Sequence, residues 1–202
     1  MEIIDISEFM TNKVKVLLDN EIAFVLYKGD LTKYDLKIGQ VEDKVIDEII
    51  NEVLYKRAMN RALGIVGSKD VTSFALKNKL TDEGYTENVS EKVLQKLIDE
   101  RLINDDRFVR GYIESKSEKK SKSIVIRELV LKGFDKDYIE KIYDELQSDN
   151  LLKDESVLIG EILLKKHFDA SEATYEDKGK MFRYLMGKGF SYDSIRSALS
   201  DE

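Results

Sequence analysis

The stretch Leu129-Val130-Leu131-Lys132-Gly133-Phe134 decides the fold, because it recurs. Upstream it is echoed as Leu80-Thr81-Asp82-Glu83-Gly84-Tyr85, and downstream as Leu185-Met186-Gly187-Lys188-Gly189-Phe190. In each copy a leucine stands four residues before a glycine and an aromatic follows it, and the glycines are 49 and then 56 residues apart. A helix carrying the leucine can end at the glycine, which accepts the left-handed C′ conformation without penalty. The aromatic then turns into the core. Thr86, Asp135 and Ser191 are placed to cap the helix that follows. Apolar residues resume at helical spacing: Val89, Val93 and Leu97, then Ile139, Ile142 and Leu146, then Ile195 and Leu199.

A pair of helices cannot close a core, so each copy needs a third. Tyr55 to Ile65 can serve the first, a helix capped by Asn104 or Asp105 and carrying Phe108, Val109, Tyr112 and Ile113 the second, and one capped by Asp154 and carrying Val157, Leu158, Ile162 and Phe168 the third. The expectation is a mainly α protein of three tandem three-helix repeats in an elongated, curved array. The N-terminal part reads differently. Lys13 to Leu18 alternates, Asp19-Asn20-Glu21 signals a turn, and Ile22 to Tyr27 is a second run of strand formers, which predicts a β-hairpin. Ile3 to Ile6 can add a short strand. Gly29 and Gly39 bracket a loop around Leu31 and Tyr34. From Val45 a helical stripe (Ile46, Ile49, Ile50, Val53, Leu54) runs on through Ala58 and Ala62 to a stop near Gly64 or Gly67. The division this implies is a hairpin segment over 1–40, the long helix with the first repeat over 41–103, the second repeat over 104–150 and the third over 151–202.

Among 202 residues, 42% are hydrophobic and 36% charged, enough for a core beneath a heavily solvated surface. No apolar run is long enough to span a bilayer. The start, Met1-Glu2-Ile3-Ile4-Asp5, lacks the basic and apolar regions of a signal peptide, and there is no cysteine, which suits a reducing cytoplasm. A cytoplasmic monomer is expected. The net charge of −7 is uneven: Arg107 to Lys132 holds eight basic against three acidic residues, and Gly133 to Glu161 three against nine. Global acidity opposes nucleic acid at long range, while a local basic surface can still meet phosphates.

Catalytic chemistry is hard to assemble from these residues. His167 is the one histidine and follows Lys165-Lys166 near a helix end, and thiolate or histidine metal sites are ruled out. No EF-hand spacing and no G-x-x-x-x-G-K-[ST] loop occurs, and Gly64-Ile65-Val66-Gly67 is too apolar at its centre for a KH-type loop. Ser115, Ser117, Ser121 and Ser123 lack a base and read as a flexible, solvated junction between helices. No catalytic residue, cofactor or metal is expected. Binding surfaces remain. Lys116, Lys119, Lys120, Lys122 and Arg127 form one basic group, Lys165, Lys166, Lys178, Lys180, Arg183 and Lys188 a looser second one, diluted by Asp169, Glu172, Glu176 and Asp177, and Lys69, Lys77 and Lys79 a third. All three precede or surround the repeat glycine, which suggests one basic track for a phosphate backbone or an acidic protein groove.

The order and spacing of these features resemble the RecX family, regulators of the RecA recombinase. Arg101 to Val109 looks like that family's opening of its second repeat, with Asp105-Asp106 and Phe108. Ile126-Arg127-Glu128-Leu129 with Lys132-Gly133-Phe134, Lys79-Leu80 with Gly84-Tyr85, and Arg183-Tyr184-Leu185 with Lys188-Gly189-Phe190 resemble its helix ends. The resemblance implies a non-enzymatic regulator acting in DNA repair, recombination and the SOS response. It would lie in the groove of the RecA–DNA filament and damp ATP hydrolysis and strand exchange. Its partners would be the RecA filament and single- or double-stranded DNA, the latter weakly or only on the filament, with no membrane involved. The alternative is an autonomous nucleic-acid-binding protein built of helix-turn-helix-like units.

Overall fold

The structure is a computed structural model describing residues 1–19 and 21–200. It is mainly helical, with a small antiparallel sheet at the N-terminus. Two compact units divide the chain, Met1–Asp105 and the part from Asp106 onward.

The first unit opens with β1 (Glu2–Met10), β2 (Lys13–Leu18), β3 (Ala23–Tyr27) and the two-residue β4 (Gly39–Gln40), in spatial order β3-β2-β1-β4. The expected hairpin is β2–β3, with Val14 opposite Leu26 and Val16 opposite Phe24. Asn20 of the expected turn lies outside the described residues. β1 is longer than the alternation at Ile3 to Ile6 suggested, because its outer half needs only β2 as a partner: Ser7 faces Lys15 and Glu8 faces Val14. The segment expected as a loop after Gly29 instead begins as a helix, α1 (Lys28–Lys33). Its start is held by Asp30, whose carboxylate accepts from the Tyr27 amide at 2.9 Å.

The long helix is continuous but not uniform. It runs as α2 (Asp43–Glu48), a π-helical turn (Ile49–Leu54) and α3 (Tyr55–Val66), with helical backbone at both junctions. The buried side chains explain the irregularity. They fall at Ile46, Ile49, Leu54, Ala58, Ala62 and Ile65. The step from Ile49 to Leu54 is one residue too long for an α-helix, and the wider π turn absorbs it. The helix stops at Gly67, as the glycine pattern suggested. With α4 (Ser73–Asp82) and α5 (Glu87–Asp99) it forms the first three-helix group. One core joins this group to the sheet: Ile3, Val16, Leu18, Phe24 and Leu26 pack with Ile46, Leu54, Leu76, Leu80, Val93 and Leu97.

In the second unit, α6 (Asp105–Ser117), α7 (Lys122–Val130) and α8 (Lys136–Ser148) enclose Val109, Ile113, Val125, Leu129, Ile139, Ile142 and Leu146. The third group is α9 (Glu155–Lys165), α10 (Tyr175–Gly187) and α11 (Tyr192–Leu199), around Leu158, Ile159, Met181, Leu185, Phe190 and Ile195. Val157, expected inside, is half exposed, and Ile159 takes its place. The three glycines take positive φ, 92°, 91° and 77° at Gly84, Gly133 and Gly189. The caps are where the spacing put them: Thr86, Asp135 and Ser191 accept from the amides of Val89, Tyr138 and Ser194. Asp105 behaves otherwise. Its carboxylate leaves its own helix and accepts from the amide and hydroxyl of Ser73.

Candidate phosphate-contact cleft

The serine-rich junction between α6 and α7 is not wholly solvated: Ser115 and Ser123 are exposed, but Ser117 and Ser121 face inward. Ser117 and Ser121 are nearly inaccessible to solvent. Ser121 occupies the N-cap of α7, yet its hydroxyl does not cap the helix. It donates instead to the carbonyl oxygen of Lys188 at 2.7 Å, and the Ser123 hydroxyl donates to that of Gly189 at 2.6 Å. The turn of the second group is thereby tied to the glycine turn of the third.

That tie shapes a cleft of about 650 Å³. Its cations arrive from three separate segments: Lys119 and Lys120 before α7, Lys165 and Lys166 at the end of α9, and Lys188 at the end of α10. Ile124, Ile162 and Phe190 supply apolar lining, and none of the lining residues is a carboxylate. Tyr184 stands among the lysines, with Lys166 Nζ 4.3 Å and Lys188 Nζ 5.6 Å from its ring centroid. Four of these lysines, with Lys120 already paired to Glu128, put like charge around a concave, part-apolar surface and favour a polyanion that can neutralise them together.

Lys120 is held from behind. Its Nζ meets Glu128 at 2.5 Å, and the Tyr112 hydroxyl donates to the same carboxylate at 2.9 Å. The Lys120 hydrogen bond keeps the Glu128 carboxyl below its ordinary value. Burial, and then the bond to Glu128, push the Tyr112 phenol up to about 12. Lys116 and Lys132 lie over the Tyr112 ring at 5.6 and 5.5 Å, a pairing of lysines with a tyrosine in the second group that resembles the one around Tyr184 in the third.

The remaining sequence candidates lie elsewhere. Lys122 turns away from the cleft to Asp144, at 2.6 Å, and over the ring of Tyr143. Arg127 is exposed on α7. Lys180 pairs along its own helix with Glu176 and Asp177. Arg183 lines a separate groove with Tyr175, Phe182, Tyr192 and Arg196. In the first unit Lys77 is bound by Glu87 and Glu91, and Lys79 by Glu83, a carboxylate that Arg61 also holds. Lys69 lies in the link between α3 and α4. Tyr184, Lys132 and Glu128 were not singled out from sequence as site residues. The signal available for Tyr184 was its place one residue before a core leucine, which turns it outward beside the repeat lysine. Among the described residues no group of three or more histidine and carboxylate side chains is arranged to hold a metal ion, and no helix is long and apolar enough to cross a membrane.

Residues 158–199 match a family model described as RecX, third three-helix domain. The chain is 30% identical to the regulatory protein RecX of Bacillus velezensis over 94% of its own length and 72% of that protein. It is 26% identical to the regulatory protein RecX of Clostridium perfringens, covering 96% and 92% of the two chains. Among solved structures, RecX from Lactobacillus salivarius aligns with a TM-score of 0.58 at 27% identity, over 72% of this chain and 94% of that one. A second crystal structure of a regulatory protein RecX aligns over 100% of this chain and 99% of its own at a TM-score of 0.63, where 22% identity speaks for the fold alone. At the identity and coverage shared with the Bacillus velezensis protein, the chain belongs to the RecX family.

Proposed function

We propose that this protein is a non-enzymatic regulator that binds the groove of the RecA–DNA filament and inhibits recombinase ATP hydrolysis and strand exchange. The observation that carries the reading is the convergence of Lys119, Lys120, Lys165, Lys166 and Lys188 on one carboxylate-free cleft. Such a surface can meet the phosphates of a filament-bound strand. The acidic remainder of the chain disfavours nucleic acid elsewhere on the molecule. Local attraction within global repulsion suits a protein that engages DNA when another surface, here the recombinase, holds it in place.

The test is the single-strand-dependent ATP hydrolysis of the cognate recombinase, with substoichiometric amounts of this protein. A clear drop is expected, with much of the effect lost in the Lys119→Glu/Lys165→Glu/Lys188→Glu variant. Lys122→Glu, whose lysine already pairs with Asp144, serves as a charge-reversal control outside the cleft and should inhibit almost as well as the parent. Unchanged hydrolysis with a folded parent protein would sink the proposal.

A further inference from the structure

We infer that the cleft is a site for an unpaired nucleotide of a single strand, with its base stacked on Tyr184 and its phosphates held by the surrounding lysines. The inference rests on the reading of the cleft as a phosphate-contact surface. It adds a base contact and a choice of strand state.

The argument starts from Tyr184 itself. A surface built only for phosphates needs no aromatic ring, yet this one keeps Tyr184 39% exposed at the centre of the cationic group. Lys166 and Lys188 lie over the ring, so lysine side chains stand where a base would stack. A base–aromatic stack outweighs an exposed cation–π contact. A base can therefore take a lysine's place on the ring, and the displaced ammonium is then free to reach the phosphate beside that base. Ile124, Ile162 and Phe190 offer apolar surface for the rest of the nucleoside. Bases in a duplex are stacked on one another and cannot do this. A strand with splayed bases can.

The experiment is binding of a fluorescent oligo(dT) to the full chain at low ionic strength without recombinase, beside an abasic oligomer of the same length and a duplex. Tyr184→Ala should weaken oligo(dT) binding roughly tenfold or more, leave the abasic oligomer unaffected, and leave the salt slope unchanged. Tyr184→Phe should bind like the parent. Lys119→Glu/Lys165→Glu/Lys188→Glu should flatten the slope of log affinity against log salt by about 2 for a single strand. If Tyr184→Ala binds oligo(dT) as the parent does, or loses the abasic oligomer equally, the base contact is overturned while the phosphate reading stands. If the lysine variant also binds like the parent, the phosphate reading fails with it. A free nucleoside triphosphate offers the same chemistry and is the competitor. If it displaces oligo(dT) at equal phosphate concentration, the site belongs to free nucleotide and the strand assignment is overturned.

Discussion

The Ser121 hydroxyl spends its hydrogen bond on the Lys188 carbonyl, 67 residues away, and not on its own helix. An N-cap serine normally satisfies an amide of the first turn. Here the bond is used to join two three-helix groups, each with its own apolar core.

Ser121→Ala would remove a bond made from a buried hydroxyl and leave the Lys188 carbonyl without that partner, at a cost of about 1–2 kcal/mol. Ser123→Ala, at an exposed position, should cost about 0.5–1 kcal/mol. Urea denaturation followed by circular dichroism measures both. Equal effects of the two substitutions would mean that burial at Ser121 does not set its contribution.

Gly84 is constrained twice. Its φ is +92°, and an added Cβ would collide with the side chain of Val25, whose amide donates to the Gly84 carbonyl at 2.9 Å. Gly84→Ala should cost about 2 kcal/mol or more, part backbone strain and part collision. The collision part is separable by a double-mutant cycle. Val25→Ala should cost less in the Gly84→Ala background than alone. Simple additivity would show that the Val25 Cγ atoms add nothing to the penalty, leaving strain at φ and the Val25 Cβ contact.

Much of this architecture was legible in the chain. The leucine, glycine and aromatic pattern located three helix ends, and Thr86, Asp135 and Ser191 located the helix starts, because both signals act within a few residues. What escaped depends on distant partners. The strand β4 exists because Gly39 and Gln40 meet β1, and α1 because Asp30 is fixed by Arg57. The site was half legible. Five of the lysines expected to bind do converge, but neighbours in sequence diverge in space: Lys119 and Lys120 enter the cleft, while Lys122, one helix start later, faces Asp144 and Tyr143. Counting charge along the chain cannot see which lysines are already neutralised by carboxylates on the next helix, as Lys77 is by Glu87 and Glu91.

The Asp30–Arg57 pair should govern part of the acid stability. Both guanidinium nitrogens reach the carboxylate, at 2.6 and 2.9 Å, and the guanidinium also lies 4.8 Å from the Tyr27 ring centroid. The bond from Arg57 holds the Asp30 carboxyl below its ordinary value. A carboxyl depressed in the folded state adds stability that is present above the unfolded pKa of about 3.9 and is lost as pH falls through the folded value. Asp30→Asn should therefore flatten the fall in stability below about pH 4. Arg57→Lys should cost about 1–2 kcal/mol at neutral pH, since an ammonium cannot make the forked contact. Denaturation midpoints across the acid range check both, and an unaltered acid profile in Asp30→Asn would count against the pair.

Tyr112 makes the opposite case at high pH. Its phenol is raised to about 12, so the stability it contributes is complete below the ordinary tyrosine value near 10 and lost between 10 and 12. Burial also raises Tyr85 and Tyr143, so titration by ultraviolet absorbance should find several late-ionising tyrosines and one fewer in Tyr112→Phe. Glu128→Gln should bring its value down, though not to 10, because burial is the larger cause. A parent protein whose tyrosines all ionise near 10 would contradict the Tyr112–Glu128 bond.

The π turn makes the sharpest prediction about the fold. Between Ile49 and Leu54 the fully buried side chains are five residues apart, with Ile50 partly buried against the same core, and on either side they follow steps of three and four. Deleting the exposed Glu52 would bring Leu54 to a step of four from Ile49, which a regular α-helix satisfies, with the stripe through Ala58, Ala62 and Ile65 intact beyond it. Deleting the exposed Asn60 from α3 removes a residue where the step is already regular, and rotates Ala62 and Ile65 off the core by about 100°. The first deletion should therefore leave a folded protein with a shortened helix and a modest loss of stability. The second should destabilise the first unit by several kcal/mol, because two buried side chains leave their positions together. Thermal unfolding of the two deletion variants decides the matter. If both lose stability equally, the π turn is not an accommodation of the core spacing, and the five-residue step from Ile49 to Leu54 needs another cause.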